Sequence, residues 1–510
     1  MTSLTAHDPA PAAARPPRGR LATIESLALG AAIACGLVAW GVGLRTCGYD
    51  YDEVVRAHSV WLASQGLRPY NDFFEVHPPY FALLVPVIRG MHDPLLALRI
   101  FAAAGNLLFL GGLGVLAARL VEGDRRWAWL GLAVVATQPD VLNDLVEFRI
   151  DGWGYALAAW ALVRHGRRGA DPGPARDFEL GAVTGLATLL FCPKLTILPA
   201  LVVLAAQARG RPTLGRAARA GLAYLAGVGV AGGLFLGWLA WQGIEAGRMF
   251  QLLVRYHAVS GANASFRLGL LRAIGAHPAA AGAVGAGVVA WAVGRAARRT
   301  RPGAYELGLL AWLAAQAVLV AYPYKQYYAP WFLFAAGYLA FVGQGASPRL
   351  ARARFVPFLA AAAWAGTGAV QAARAWAATD VAATQRRVHA WIDRVADPED
   401  RIVTSAPFHP IDRRDTFFVW FNTADNGGFD SERILARLPS YREVATPGRS
   451  RAELEAHPPA LVFITGDRRA VEYTQGQDDA LVDFLPRHGY RTVDVGSARF
   501  AVRPDRFDRP

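Results

Sequence analysis

Apolar runs separated by short, arginine-rich connections occupy the chain from residue 24 to residue 374, and the texture then changes. Crossing the hydrocarbon core of a bilayer takes about 20 apolar residues in a helix, with a range of roughly 17–25. About eleven runs approach that length: 24–44, 94–120, 127–146, 148–163, 180–191, 195–208, 222–241, 279–293, 305–322, 331–342 and 355–373. The pair 180–191 and 195–208 is short and is broken by Cys192-Pro193-Lys194, the pattern of a helical hairpin that only just spans. The run 78–91 is too short to span and fits an interfacial or re-entrant segment. From about Ala375 the pattern becomes that of soluble protein. RIVTSA, PALVFITG, YRTVDVG and ARFAVR read as short strands, and 384–395 and 478–487 as helices. The fold class expected is therefore a polytopic α-helical membrane protein with about eleven transmembrane helices and a C-terminal α/β domain. Its divisions are a tail at 1–23, a membrane domain at 24–374 with a first outer loop at 45–93, and the α/β domain at 375–510.

Charge orients this pattern. The chain carries 53 Lys plus Arg against 40 Asp plus Glu, a net charge of +13. The arginines stand in clusters between apolar runs, at 119–126, 164–176, 209–219, 295–301 and 349–354, rather than on one face, which argues against nucleic acid and for positive-inside topology. A cytoplasmic N-terminal tail places every such cluster inside. The acidic loop 45–93, Lys194, the segment 242–277 and Lys325 then fall outside, and an odd number of spans makes the C-terminal domain extracytoplasmic. This assigns the chain to a bacterial inner, or plasma, membrane. The exception is 242–277, which carries Arg248, Arg255, His257, Arg267 and Arg272 on the translocated side. Three cysteines give no disulfide framework.

The outer loop concentrates the candidate chemistry. Asp50, Asp52, Glu53, Asp72, Glu75 and, more peripherally, Asp93 lie between two apolar segments. Asp52-Glu53 opens an amphipathic pattern with Val54, Ala57 and Trp61 on one stripe, which fits a helix lying on the membrane surface. Part of this acidity has a local explanation, since Asp50 can cap the helix while Glu53 closes a capping box. The density of Asp50, Asp52, Asp72, Glu75 and His77 in one loop above the membrane also suits a base for a hydroxyl acceptor. Arg149 and Asp151 in EFRIDGWGY begin a span on the same side, where they either pair with each other at the interface or point inward. Lys194 and Lys325 are the only lysines, both at outer ends of apolar runs. Either lysine can snorkel to headgroups or hold the phosphate of a lipid carrier, as can Arg255 with Arg248 and His257. Around Lys325, PYKQYYAPW supplies aromatic neighbours including Tyr324. His58, His77 and the loop carboxylates are of the right types for a divalent metal ion, but their spacing matches no strong metal motif.

Taken in order, Asp52-Glu53 after the first span, FFEVHPPY, FRIDGWG, GLATLLFCPKLT and PYKQYYAP resemble the GT-C superfamily of membrane glycosyltransferases that use polyprenyl-phosphate sugars. That superfamily includes protein O-mannosyltransferases, lipid A aminoarabinose transferases and lipopolysaccharide-core transferases, and the likeness covers nearly the whole chain. His77 stands where lysine is common in those enzymes, and Cys192-Pro193 also departs from the pattern. The resemblance implies an inverting transfer of sugar from a polyprenyl-phosphate donor to an acceptor hydroxyl of the cell envelope, in a glycan, lipid or protein. Asp52 would be the base, with Glu53 beside it. Lys325, Arg255 and Lys194 would steady the phosphate, and Asp72, Glu75, His77, Arg149, Asp151 and Tyr324 would contact donor or acceptor sugar. A polyprenyl-linked glycan ligase would show a large outer loop late in the membrane part. A flippase would line a path at bilayer depth and often repeat its halves. Here the ionisable groups gather on one face and no repeat is visible.

Overall fold

A computed structural model of the chain describes residues 20–120 without 74 and 76, 125–166, 173–191, 200–205 without 202, 214–256, 355–403, 408, 410–413, 452, 454–464, 484–496 and 498–507, with single positions 289 and 307. Among the described residues four helices are long and apolar enough to cross a membrane: Arg20–Thr46, Pro94–Arg119, Ala217–Trp241 and Phe355–Val395. The protein is a multi-pass helical membrane protein. The expected runs 279–293, 305–322 and 331–342 lie, but for positions 289 and 307, outside the described residues.

Helix α1 (Arg20–Thr46) shows how these segments are built. Leu27, Leu37 and Val38 stay exposed on one side, as a lipid-facing side requires, while Ala32, Ala39 and Trp40 are buried. Helix α2 (Tyr51–Ser64) and the short α3 (Phe81–Ile88) fill the first loop. Helix α4 (Pro94–Leu120) starts with proline at its first position, and Asp93 caps it by accepting a hydrogen bond from the Leu96 amide at 2.9 Å.

The expected span 127–146 is instead two helices, α5 (Arg126–Ala136) and α6 (Pro139–Val146). The break has a local cause. Pro139 disfavours helical backbone at the residue before it, and Gln138 is extended with ψ 135°. Helix α7 (Asp151–His165) follows as expected, but α8 (Gly173–Leu190) begins inside what the sequence presents as a basic loop. Within its first turns Asp177 is buried against His165 of α7, with Oδ1 to Nε2 at 2.9 Å. Helix α9 (Leu214–Trp241) crosses α8 so closely that a Cβ at Gly181 or Gly227 would overlap a backbone carbonyl of the other helix, the small-residue packing favoured in membranes. A turn at Gly243 (φ 68°) leads to α10 (Ala246–Phe250) and a π-helical turn, Gln251–Tyr256.

Helix α11 (Phe355–Thr379) lies along α1 and runs into α12 (Val381–Val395) through Asp380, whose left-handed backbone (φ 34°) marks the joint. Beyond α12, strands β1 (Ile402–Val403), β2 (Leu461–Ile464), β3 (Arg491–Val495) and β4 (Ala498–Val502) form a sheet in the order β1-β2-β4-β3. All four fall within the expected strand segments. β1 pairs parallel to β2, and β2 and β3 each pair antiparallel to β4, with Phe463 opposite Phe500 and Thr492 opposite Ala501. Val388, Ile392 and Val395 of α12 pack on Ile402, Leu461 and Phe500, which fixes the sheet to the end of the last membrane helix. The last described element is a short helix, α13 (Pro504–Phe507).

Candidate active site

The connection between α1 and α2, residues 47–50, carries the acidic loop, and two buried groups hold it. Arg99, fully buried in α4, forks onto Glu53 with Nε to Oε1 at 2.6 Å and Nη2 to Oε2 at 2.7 Å. Its remaining N–H groups donate to the Cys47 carbonyl at 2.8 Å, the Gly48 carbonyl at 2.8 Å and the Leu44 carbonyl at 3.3 Å. Glu53 in turn accepts from the amides of Phe148 (2.8 Å) and Asp50 (3.3 Å). The helix-start role expected of Glu53 is present in the bond from the Asp50 amide, but the residue does more. Both its oxygens are engaged and it is 1% exposed, so its carboxylate is not presented to a ligand. An arginine within an otherwise apolar span was the available signal for this pair.

Asp52 faces the other way. Its Oδ2 accepts from Arg149 Nη1 at 3.1 Å and from Arg56 Nη2 at 3.4 Å, its Oδ1 has no partner among the described residues, and its side chain is 30% exposed. Each of the other two Arg149 nitrogens also holds a carboxylate: Nε donates to Glu147 at 2.7 Å and Nη2 to Asp50 at 2.8 Å. Burial pushes the Asp52 carboxyl up, but the Arg56 and Arg149 guanidiniums more than reverse this and hold it well below the usual carboxylate range. Asp52, Arg149 and Asp50 therefore meet in three dimensions, a contact that the sequence reading did not anticipate. Asp151 stands at the first position of α7, near enough for Arg56 to sense its charge.

Arg56 was not singled out by the sequence pattern, where it fell off the apolar stripe. It is 2% exposed, and its Nε and Nη1 have no hydrogen-bond partner among the described residues. The buried Tyr80 hydroxyl, an electrostatic neighbour of Arg56, is likewise without one. Burial pushes the Tyr80 phenol well up, so it remains a neutral donor. A buried polar group left unpaired costs about 1–3 kcal/mol, so this corner of the site suits an incoming acceptor oxygen.

Glu75 and His77 form a relay behind Arg56. Ser59 Oγ donates to Glu75 Oε2 at 2.6 Å, Glu75 Oε1 meets His77 Nδ1 at 2.6 Å, and His77 Nε2 lies 3.5 Å from Arg56 Nη2. A guanidinium has no lone pair to accept with, so this order puts the proton on Nδ1 and the lone pair on Nε2. Tyr70 closes the relay by donating its hydroxyl to the His77 carbonyl.

Other candidates separate from the cluster. Asp72 is paired at the surface with Arg68, Oδ1 to Nη2 at 3.0 Å, and also caps the Arg68 amide at 2.8 Å. Arg248 ties the π-helical region to the loop by donating to the Tyr70 carbonyl. Arg255 is exposed on the π-helical turn and makes no hydrogen bond or ion pair with the cluster among the described residues. Lys194, Lys325, Tyr324 and His257 lie outside the described residues. Among the described residues no group of three or more His, Cys, Asp or Glu side chains is arranged to hold a metal ion. Asp50, Asp52 and Glu147 meet on the Arg149 guanidinium instead.

No family model matches the chain, and no curated protein matches it. Solved structures do. The chain is similar to ArnT from Cupriavidus metallidurans in the apo state, with a TM-score of 0.63 and 16% identity over 94% of this chain and 98% of that one. ArnT from the same organism bound to undecaprenyl phosphate matches with a TM-score of 0.63 and 14% identity, over 92% of this chain and 97% of that one. Over nearly its whole length, then, the chain has the fold seen in these two ArnT structures.

Proposed function

We propose that this protein is a membrane glycosyltransferase of the GT-C type, which moves a sugar from a polyprenyl-phosphate donor to an extracytoplasmic acceptor hydroxyl with inversion at the anomeric carbon. The observation that carries the reading is Asp52: one oxygen is gripped by two arginines, and the other, at a partly exposed position, has no partner among the described residues. The ArnT likeness supports the fold, and the polyprenyl-phosphate donor is brought to this chain by the neighbour whose structure holds undecaprenyl phosphate.

In this reading the acceptor hydroxyl donates to Asp52 Oδ1. Its oxygen attacks the anomeric carbon while the bond from that carbon to the phosphate oxygen breaks. The hydroxyl proton passes to Asp52, and the polyprenyl phosphate leaves as an anion that needs no protonation. Arg56, whose Nε and Nη1 have no partner among the described residues, and the Tyr80 hydroxyl would be the donors that oppose the charge growing on that phosphate. As Arg56 turns toward phosphate, its hold on Asp52 loosens and the carboxylate becomes a stronger base. That coupling reconciles a strongly acidic resting carboxyl with a base role. Lys325, Lys194 and Arg255 remain proposed as further phosphate ligands, and the C-terminal domain is proposed to lie outside the cytoplasm over the acceptor.

The test is transfer of labelled sugar from a panel of polyprenyl-phosphate sugars by purified protein in lipid nanodiscs, with and without the Asp52→Asn substitution. Transfer by the wild type that falls about 10²–10⁴-fold in the variant is expected. Near-normal turnover in Asp52→Asn would move the base to Asp50, Asp72 or Asp151.

A further inference from the structure

The second buried group on the α1–α2 connection comes from the opposite end of the chain. Gln385 of α12 is 3% exposed, and its side-chain amide pairs with the backbone of Tyr49 on both sides. The Tyr49 amide donates to Oε1 at 2.7 Å, and Nε2 donates to the Tyr49 carbonyl at 3.2 Å. Tyr49 immediately precedes Asp50, the N-cap of α2, and stands three positions before Asp52. Around this pair the contact continues. Arg386 reaches the Tyr49 hydroxyl and the Arg45 carbonyl, each at 3.3 Å, and the His389 ring stacks on Tyr49 at 6.4 Å. Val381 packs so tightly on Gly48 that a Cβ there would displace it. Farther along, His58 Nδ1 of α2 lies 3.0 Å from the Ile411 carbonyl, beyond β1.

We propose that Gln385 is a positioning residue, through which the C-terminal segment sets where Asp52 points. In the connection 47–50 the Cys47 amide and the Asp50 carbonyl continue the helical bonding of α1 and α2, but the carbonyls of Cys47, Gly48 and Tyr49 and the Tyr49 amide have no backbone partner among the described residues. Arg99 takes the carbonyls of Cys47 and Gly48 and Gln385 takes both polar groups of Tyr49, so the start of α2 is set by one side chain from the membrane and one from α12. Arg99 fixes the connection to the bundle. Gln385 fixes it to the part of the chain that bears the sheet. A general base displaced by about 1 Å from its reacting partner can lose roughly 10²-fold in rate, so a constraint next to α2's first residue acts on chemistry without touching substrate. A glutamine suits this place because one planar amide offers a donor and an acceptor at the spacing of a backbone N–H and C=O.

The proposal rests on the transferase reading for its rate consequence but not for its structural half, and the experiment separates them. Full-length protein in nanodiscs is compared with Gln385→Met, which keeps length and loses both bonds, and Gln385→Glu, which keeps the acceptor and loses the donor. Amide hydrogen exchange is followed at residues 49–53 and, as an internal control, in the span Pro94–Arg119. The expected result is exchange at 49–53 faster by about tenfold in Gln385→Met, from two lost hydrogen bonds, a smaller change in Gln385→Glu, and none in the control span. With a competent donor, kcat falls by about 10–100-fold while the donor KM stays within about twofold, and Gln385→Glu recovers part of the loss. Unchanged exchange at 49–53 in both variants overturns the clamp whatever the activity. Faster exchange with unchanged kcat overturns the positioning role. If Gln385→Met does not yield folded protein, Gln385→Glu decides both points by the same measurements. A wild type that transfers no sugar from any polyprenyl phosphate refutes the transferase reading and with it the positioning role, while the exchange result still decides the clamp.

Discussion

Arg99 and Glu53, 46 residues apart in sequence, meet in a two-pronged ion pair at 2.6 and 2.7 Å in which neither side chain reaches solvent. Removing one partner of such a pair strands the other charge in a medium that solvates it poorly, which costs about 3–5 kcal/mol. Glu53→Gln should therefore lower thermal stability in detergent more than Asp52→Asn does. Pairing Glu53→Gln with Arg99→Met should recover part of the loss, because no buried charge remains alone. Equal melting temperatures for Glu53→Gln and the wild type would show that the pair is not what holds the loop.

Asp52→Asn should leave a folded, membrane-inserted protein whose transfer rate is reduced at every pH tested. The arginines depress the folded pKa of Asp52 below its unfolded value of about 3.9, so its stabilising contribution is complete above about pH 4 and is lost only as pH falls through the lower folded value. Between about pH 5 and 8 the free carboxylate does not titrate. A pH profile of kcat/KM for the wild type should accordingly show no limb in that window that disappears in Asp52→Asn. Such a limb would mean that the two arginines do not hold Asp52 as described.

Arg56→Met removes two buried nitrogens that have no partner among the described residues, together with one hold on Asp52. Binding of undecaprenyl phosphate alone, measured by native mass spectrometry or microscale titration, should weaken by about 10-fold or more, in keeping with a charge-assisted bond worth about 1.5–3 kcal/mol. Arg56→Lys keeps charge without the fork and should recover only part. Wild-type affinity in Arg56→Met would pass the phosphate to Lys325, whose Lys325→Ala substitution should then lower both kcat and donor affinity.

Alkaline phosphatase fused after Pro510 should be active, and a fluorescent reporter restricted to the cytoplasm should be dark at the same place. This follows from the arginine clusters between spans, which the positive-inside rule assigns to the cytoplasmic side. A silent phosphatase with a bright reporter would reverse the orientation and put Asp52 on the wrong side for an extracytoplasmic acceptor.

The sequence by itself determined the elements whose causes are local. Apolar length marked α1, α4, α9 and α11, because a helix in lipid must satisfy its backbone within itself and present apolar side chains outward. Alternating and β-branched segments marked β1 to β4, and clustering within one loop brought Asp52 and His77 into view together with Glu75. What the tertiary structure decided is which charge meets which. Glu53 and Asp52 are adjacent in sequence, yet successive helical positions project in different directions, so one is locked beneath the loop by Arg99 and the other is left with an open oxygen. Arg56 lies off the apolar stripe of α2 and is nonetheless buried, because α3 and the loop before it close over α2, and no periodicity within α2 encodes that cover. Gln385 lies 336 residues from Tyr49, and nothing in an amphipathic helix of that composition distinguishes a buried amide that pairs with distant backbone from one on the surface. Local pattern sets the lengths and faces of these elements, whereas the partners of a buried polar group are fixed only when the chain brings distant segments together and leaves each such group no water to bond to.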